Sequence, residues 1–242
     1  MPDDGAPIPE PHSPVTSLDD ARAVQILTAE HASLLSARSL AYNEAFARAG
    51  MFLAFLSFSF VAIALLAQVL PLNTGFLLMT IVVLVFDLVV GVMSYGRVIG
   101  AGHEDYRAVH GMARIRHAYG EIAPIVLPYF VDATHDDLEG VMVTYGSPPL
   151  KGLGALIYQF TTSAGLMNVI VSMVGGVLAS LVAVVLGASV TVSVGIGAVA
   201  ALGLFVALAA VTILFYVRVQ ERLEVRFPTP KDGSERGPHE RP

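Results

Sequence analysis

MFLAFLSFSFVAIALLAQVLPLNTGFLLMTIVVLVFDLVVGVMSY, from Met51 to Tyr95, is two long apolar runs divided by Pro71-Leu72-Asn73-Thr74. The runs are Met51 to Leu70, interrupted only by Ser57, Ser59 and Gln68, and Gly75 to Tyr95, which contains Asp87. Each is long enough to cross ~30 Å of hydrocarbon at about 1.5 Å per residue. Proline cannot continue a helix and the polar turn is short, so the stretch reads as a transmembrane helical hairpin.

A second hairpin follows, with spans at Ser163 to Leu186 and Ser193 to Val217 around a turn at Gly187-Ala188-Ser189. Basic residues give the orientation. Arg22, Arg38 and Arg48 precede the first span. Arg97, Arg107, Arg114, Arg116 and Lys151 lie between spans two and three. Arg218, Arg222, Arg226, Lys231, Arg236 and Arg241 follow span four. These are all 14 basic residues of the chain, and neither short turn holds one. Such one-sidedness requires an even number of crossings and places both termini on the cytoplasmic side. The expected fold class is all-α, an integral membrane protein of two transmembrane hairpins with cytosolic amphipathic helices.

The remaining segments divide accordingly. Residues 1–15, acidic and proline-rich, read as a disordered tail without the basic start and apolar core of a secretory signal, so the first span is expected to drive insertion. Thr16-Ser17-Leu18-Asp19-Asp20 reads as a helix start. Residues 16–50 form an amphipathic cytosolic helix, with Leu27, Leu34, Leu35, Tyr42 and Phe46 at helical spacing. Residues 51–96 are the first hairpin. Residues 97–162 are a cytosolic helical insert: a helix over His103 to Tyr119, stopped by Pro124 and Pro128, a turn with a short helix around Thr134 to Gly140, an extended piece over Val141 to Tyr145, and irregular chain at Ser147-Pro148-Pro149. Residues 163–217 are the second hairpin and 218–242 a charged helix stub with a disordered tail from Pro228.

Of the 242 residues, 55% are apolar and 14% charged, against roughly a quarter charged in soluble domains. The chain has no cysteine, which excludes disulfides, cysteine zinc sites and thiol nucleophiles. The net charge of −6 argues against nucleic acid. Arginine in place of lysine, with much Ala, Val and Gly, is the composition of a high-GC bacterial gene, and the expected location is the cell inner (plasma) membrane. No phosphate loop, Gly-x-Ser-x-Gly elbow or His-Glu-x-x-His helix occurs, so neither an enzyme nor a cofactor is expected.

Asp87 is the one ionisable residue deep in a span, where a carboxylate costs several kcal/mol, on the order of 3 on insertion scales. Thr80, Asp87 and Ser94 recur every seven residues, with Gly91 a turn beyond Asp87. This makes a small polar stripe that should face protein or water. With Leu70 and Gly75 level across the turn, Asp87 comes level with Phe58, so Ser57 or Ser59 should hydrogen-bond it. No cation lies at that depth, and a neutral acid is expected. The site reads either as a proton or cation relay or as interhelical glue. The second hairpin is rich in small residues, among them Gly175, Gly176, Gly195 and Gly197, which suits a pore-lining or oligomerising surface or simply tight packing of spans three and four.

Arg97, Arg107, Arg114 and Arg116 are expected at anionic headgroups or in salt bridges with nearby acids. His103, His110 and His117 are spaced seven apart, roughly 10 Å between neighbours and too far for one metal. A metal would need His135, Asp136 or Asp137 folded back onto them, and no metal site is expected.

Ala29-Glu30-His31-Ala32-Ser33-Leu34-Leu35 through Asn43-Glu44-Ala45-Phe46, and Gly111-Met112-Ala113-Arg114-Ile115-Arg116-His117-Ala118-Tyr119 through His135-Asp136-Asp137, resemble an uncharacterised bacterial four-span integral membrane family without assigned activity. The layout, a long helix entering a two-span hairpin and leaving as a cytosolic helix, is similar to SLATT-type membrane effectors, which implies a pore-forming role; the second hairpin departs from that layout. The expectation is a non-enzymatic membrane protein, either an oligomeric pore-forming or signal-coupled effector, a small proton- or cation-coupled transporter using Asp87, or a scaffold binding a protein partner through its cytosolic helices. The partners expected are membrane lipids, a second copy of the chain and a cytosolic protein.

Overall fold

The structure, a computed structural model, describes Val15, Ser17, Leu18 and residues 20–146 and 162–230. The readings made above for residues 1–14, Thr16, Asp19, Ser147-Pro148-Pro149, the following residues to 161 and the tail from 231 lie outside the described residues. Among the described residues every regular element is helical, and four helices are long and apolar enough to cross a membrane. The chain is a multi-pass membrane protein.

The first helix, α1 (Ala21–Val69), is one 49-residue rod. Asp20 starts it by accepting the Arg22 N–H at 2.8 Å. Nothing interrupts it at Gly50, so the amphipathic helix and the first span are a single element. Leu70 turns extended before Pro71 and ends it. Asn73 caps α2 (Thr74–Ile122) by accepting the Phe76 N–H at 3.1 Å. This helix is also 49 residues long and joins the second span to the His103–Tyr119 segment without a break. At about 1.5 Å per residue each rod is roughly 74 Å long, more than twice the hydrocarbon thickness. Pro124 stops α2, and a 3-10 turn follows at Pro124–Tyr129.

Helix α3 (Leu138–Thr144) is capped by Asp137, which accepts the Gly140 N–H at 3.0 Å. Its range corrects the extended conformation expected over Val141 to Tyr145. The β-branched residues there favour strand, but the cap and the burial of Val141 against Tyr106, Val109 and Met112 favour helix.

In the second hairpin, Thr162 caps α4 (Ser163–Val185) through the Gly165 N–H at 3.0 Å. Gly187, at φ +92°, closes the helix: its N–H reaches Val184 O and the Ala188 N–H reaches Ala183 O, both at 3.0 Å. This is the left-handed termination that glycine adopts without strain. Ser189 then caps α5 (Val190–Arg222).

Helices α1 and α2 pack antiparallel, as do α4 and α5, and α2 lies against α4, so the inner pair is α2 with α4. Phe52, Leu56, Leu84, Tyr95, Met167 and Val171 form the core where α1, α2 and α4 meet. A β-carbon on Gly91 would stand 2.8 Å from the Phe52 ring and 3.0 Å from Val171, so only glycine admits that packing. Between α4 and α5 the backbones touch: a β-carbon on Gly176 would stand 2.7 Å from the Gly197 carbonyl oxygen. Beyond the spans, the ends of α1, α2 and α5 gather with α3 into an extramembrane layer around Tyr106, Val109, Met112 and Val141, with Leu34, Val219 and Leu223 packed on it.

Candidate functional site

Asp87 is wholly buried, at 0% exposure, between α1 and the inner helices. Ser59 Oγ donates to its Oδ1 at 2.9 Å. Ser57, two residues or about 200° around the helix, is exposed and donates to the Leu53 carbonyl of its own helix at 2.7 Å. Thr80 is buried and bonds back to Phe76 O at 2.9 Å, so it neutralises its hydroxyl without touching Asp87. Ser94 is half-buried. The stripe therefore faces protein, and only Ser59 and Asp87 join across it. Asp87 Oδ2 is buried and has no hydrogen-bond partner among the described residues. A carboxyl placed so, with one oxygen served and the other open, can hold a proton, and once that proton passes to water the carboxylate can bind a cation in its place.

Two further polar contacts tie the spans. Tyr95 Oη and Thr212 Oγ1 lie 2.6 Å apart, joining α2 to α5. Asn168 Nδ2 donates to the Phe205 carbonyl at 3.2 Å, joining α4 to α5, while its Oδ1 accepts from the Ser172 hydroxyl of its own helix at 3.1 Å. Sequence reading passed over Asn168, Ser172 and Thr212; the signal was their being uncharged polar residues inside apolar spans.

The layer carries most of the charge. Arg38 Nε donates to Asp105 Oδ1 at 2.8 Å, and the Tyr145 hydroxyl donates to Asp105 Oδ2 at 2.6 Å. Burial, and then the neighbouring Asp105, push the Tyr145 phenol well above its usual range. Arg97 pairs with Glu44. Arg114 Nε donates to Asp136 at 2.7 Å and Arg116 Nη2 to Asp132 at 2.5 Å. Arg116 is buried, and with Arg114 it stands about 28–32 Å along the helix from Tyr95. Arg97 and Arg107 are exposed.

The Asp136–Asp137 turn folds back onto the histidine face. Asp136 accepts the backbone N–H of Arg226 at 3.1 Å and of Phe227 at 2.7 Å, and its own N–H reaches Phe227 O at 3.0 Å. Asp137 accepts the Thr229 N–H at 2.9 Å and its hydroxyl at 2.8 Å. Phe227 stacks on His117, ring centroids 4.0 Å apart. The segment after α5 is therefore latched to the layer through Thr229, a correction to the disordered tail expected from Pro228. Burial pushes the Asp136 and Asp137 carboxyls up, but for Asp136 the Arg114 guanidinium and the Phe227 and Arg226 N–H groups outweigh it, and for Asp137 the Gly140 and Thr229 bonds do; both sit below the usual carboxylate range.

His135 lies 6.4 Å from His117 and His110 Nδ1 3.9 Å from Asp136 Oδ2. Asp136 is already occupied by these donors, and among the described residues no group of three or more acidic or histidine side chains is placed to hold a metal. His103 donates its Nδ1–H to Ile99 O at 2.8 Å and packs on Phe215 and Tyr216. No protein family, no curated protein and no solved structure matches the chain.

Proposed function

We propose that the protein is a non-enzymatic, oligomeric membrane effector that couples a signal received by the extramembrane layer to the bilayer. The observation that carries this reading is the continuity of α1 and α2, two unbroken 49-residue rods that share the Arg38–Asp105 pair in the layer and the Ser59–Asp87 pair in the membrane. A shift of one rod along the other must disturb both pairs, because a helix has no hinge where its hydrogen-bond ladder is intact. The basic residues gathered at one end of the spans support an orientation with this layer in the cytoplasm and with both termini there, in a bacterial inner membrane. The SLATT-like layout supports pore formation as the output.

A second reading, a small proton- or cation-coupled transporter, is favoured by the buried Asp87 Oδ2 without a partner among the described residues. Ion and proton flux into liposomes holding the purified protein, for wild type against Asp87→Asn, tests both. Flux that the substitution changes supports them, and a dependence on a proton gradient selects the transporter. Absence of flux from either folded protein sinks both, and leaves the anchored scaffold, for which replacing the spans with unrelated ones preserves function.

A further inference from the structure

Without its proton, the Asp87 carboxylate needs a positive partner, and α1 and α2 offer none at its depth. Their nearest basic residues, Arg48 and Arg97, stand about 15–17 Å along the helix axes from Ser59 and Asp87. A lone carboxylate at this depth is costly, so the occupant of the site carries positive charge. It is a proton or a metal cation, and the oxygens within reach decide between them.

The seam around Ser59 and Asp87 is apolar. The buried residues of the first span are Phe52, Leu56 and Ser59, and those of the second are Thr80, Leu84, Asp87, Gly91 and Tyr95. One turn to either side of Asp87 therefore stand Leu84 and Gly91, and one turn before Ser59 stands Leu56. Helix α4 closes this core with Val171 and Val174. Thr80, about 10 Å along α2, donates its hydroxyl to Phe76 O, and Ser172 on α4 donates to Asn168 Oδ1. What remains for a ligand, among the described residues, is the carboxylate itself and Ser59 Oγ. Backbone oxygens add nothing. Helices α1, α2 and α4 run unbroken through this depth, and each carbonyl is held in its own helical ladder. Alkali cations inside membranes draw on carbonyls freed where a helix unwinds, and Mg²⁺ or Ca²⁺ takes about six to eight oxygens. A proton needs one. Ser59 donates to Oδ1, which makes Oδ1 the carbonyl oxygen of an acid and leaves Oδ2 to carry the proton.

We propose that the ligand of this site is the proton alone: Asp87 Oδ2 binds and releases H⁺ and does not exchange it for Na⁺, K⁺, Mg²⁺ or Ca²⁺. Release breaks the Oδ2–H bond and passes the proton to a water molecule, leaving the carboxylate. This names the ion of the transporter reading above and rests on that reading for its role.

Infrared spectra of the purified protein in liposomes, wild type minus Asp87→Asn over a pH series, read the occupant without any flux. The expected result is the carbonyl band of a protonated carboxyl. The band should shift in Ser59→Ala, which keeps the acid and removes its hydrogen bond. It should also shift in D₂O, which reports exchange of the proton. Isotope-labelled aspartate in the wild type assigns the band independently of any substitution. A tenfold rise in NaCl, KCl, MgCl₂ or CaCl₂ at fixed pH is expected to leave its intensity unchanged. Loss of the band with any one of these salts overturns the proposal in favour of that cation. No aspartate band at any pH at which the protein stays folded, or a band that D₂O does not move, overturns it as well. Absence of proton flux from liposomes in which the band behaves as expected sinks the transporter reading and leaves the proton as occupant. Asp87-dependent flux of a metal cation, with the band displaced, sinks the occupant and leaves the transporter.

Discussion

At Asp87, Ser59 satisfies one carboxyl oxygen in a place where neither group reaches water. Truncating one partner of a buried pair strands the other, whereas removing both does not. Ser59→Ala is therefore expected to cost about 1–3 kcal/mol, and adding Asp87→Leu to recover most of it; thermal unfolding in detergent measures both. If Asp87 also carries flux, the double variant is stable and silent. His110 gives a second prediction. Burial, and then Arg114, hold its imidazole below the ordinary value against the pull of Asp136. A histidine with a lowered folded value is kept neutral, so the unfolded chain binds protons first. Stability should fall as pH drops below the ordinary histidine value of about 6.5 and level off once the folded value is passed. His110→Gln should flatten that part of the curve, and denaturant titrations at a series of pH values read it. Arg114, four residues along the same helix, is a neighbour of His110 that spacing gives, whereas Asp136 reaches it only when a turn 26 residues away folds back.

Helix ends were legible in the chain wherever chemistry marks them: Asp20, Pro71, Asn73, Pro124 and Gly187 each stop or start a helix by a local rule. The partner of Asp87 follows from the same source, since a short turn fixes the register of an antiparallel hairpin and leaves only the choice of helix face. What local rules miss is tertiary. Val141 and Val143 look like strand until Val141 finds a buried slot, and the latch joins Asp136 to residues 90 positions away. The latch segment is held by polar bonds and one ring stack, with little apolar burial, so it belongs to the low-stability end of the structure. Its carboxylates sit below their ordinary value, so its contribution is full above about pH 3.9 and is lost as pH falls through the folded values. Hydrogen exchange at Phe227 and Thr229 should accelerate in that acid window, and Asp136→Asn should produce the acceleration at neutral pH. In the membrane, Gly91→Ala should displace the Phe52 ring and cost about 1–3 kcal/mol, seen as a lower unfolding temperature.

The four-span topology and its one-sided charge follow from the distribution of apolar blocks and of the 14 basic residues, since both are properties that a bilayer reads directly. The extent to which the spans and the layer are one body was less open to reading. Glycines at 50, 96 and 100 look like joints in the chain, yet α1 and α2 pass straight through them because each rod is supported along its length by the other. Cutting that support is expected to show: a charge reversal at Asp105→Arg should loosen the layer, and the compensating Arg38→Asp should restore it, as measured by protease resistance of the purified protein. Helix α2 has one more consequence. It carries its far end, at Ile122, roughly 40 Å beyond Tyr95, and at physiological salt an electrostatic potential decays over about 8 Å. The Glu44–Arg97 pair beside the bilayer lies within one such length of the lipids and is subject to their composition. Arg116 and Asp132 lie several lengths away and respond only to the bulk electrolyte. The two ends of one rod thus sit in different ionic surroundings, and a change in lipid charge should alter the near pair while leaving the far one untouched.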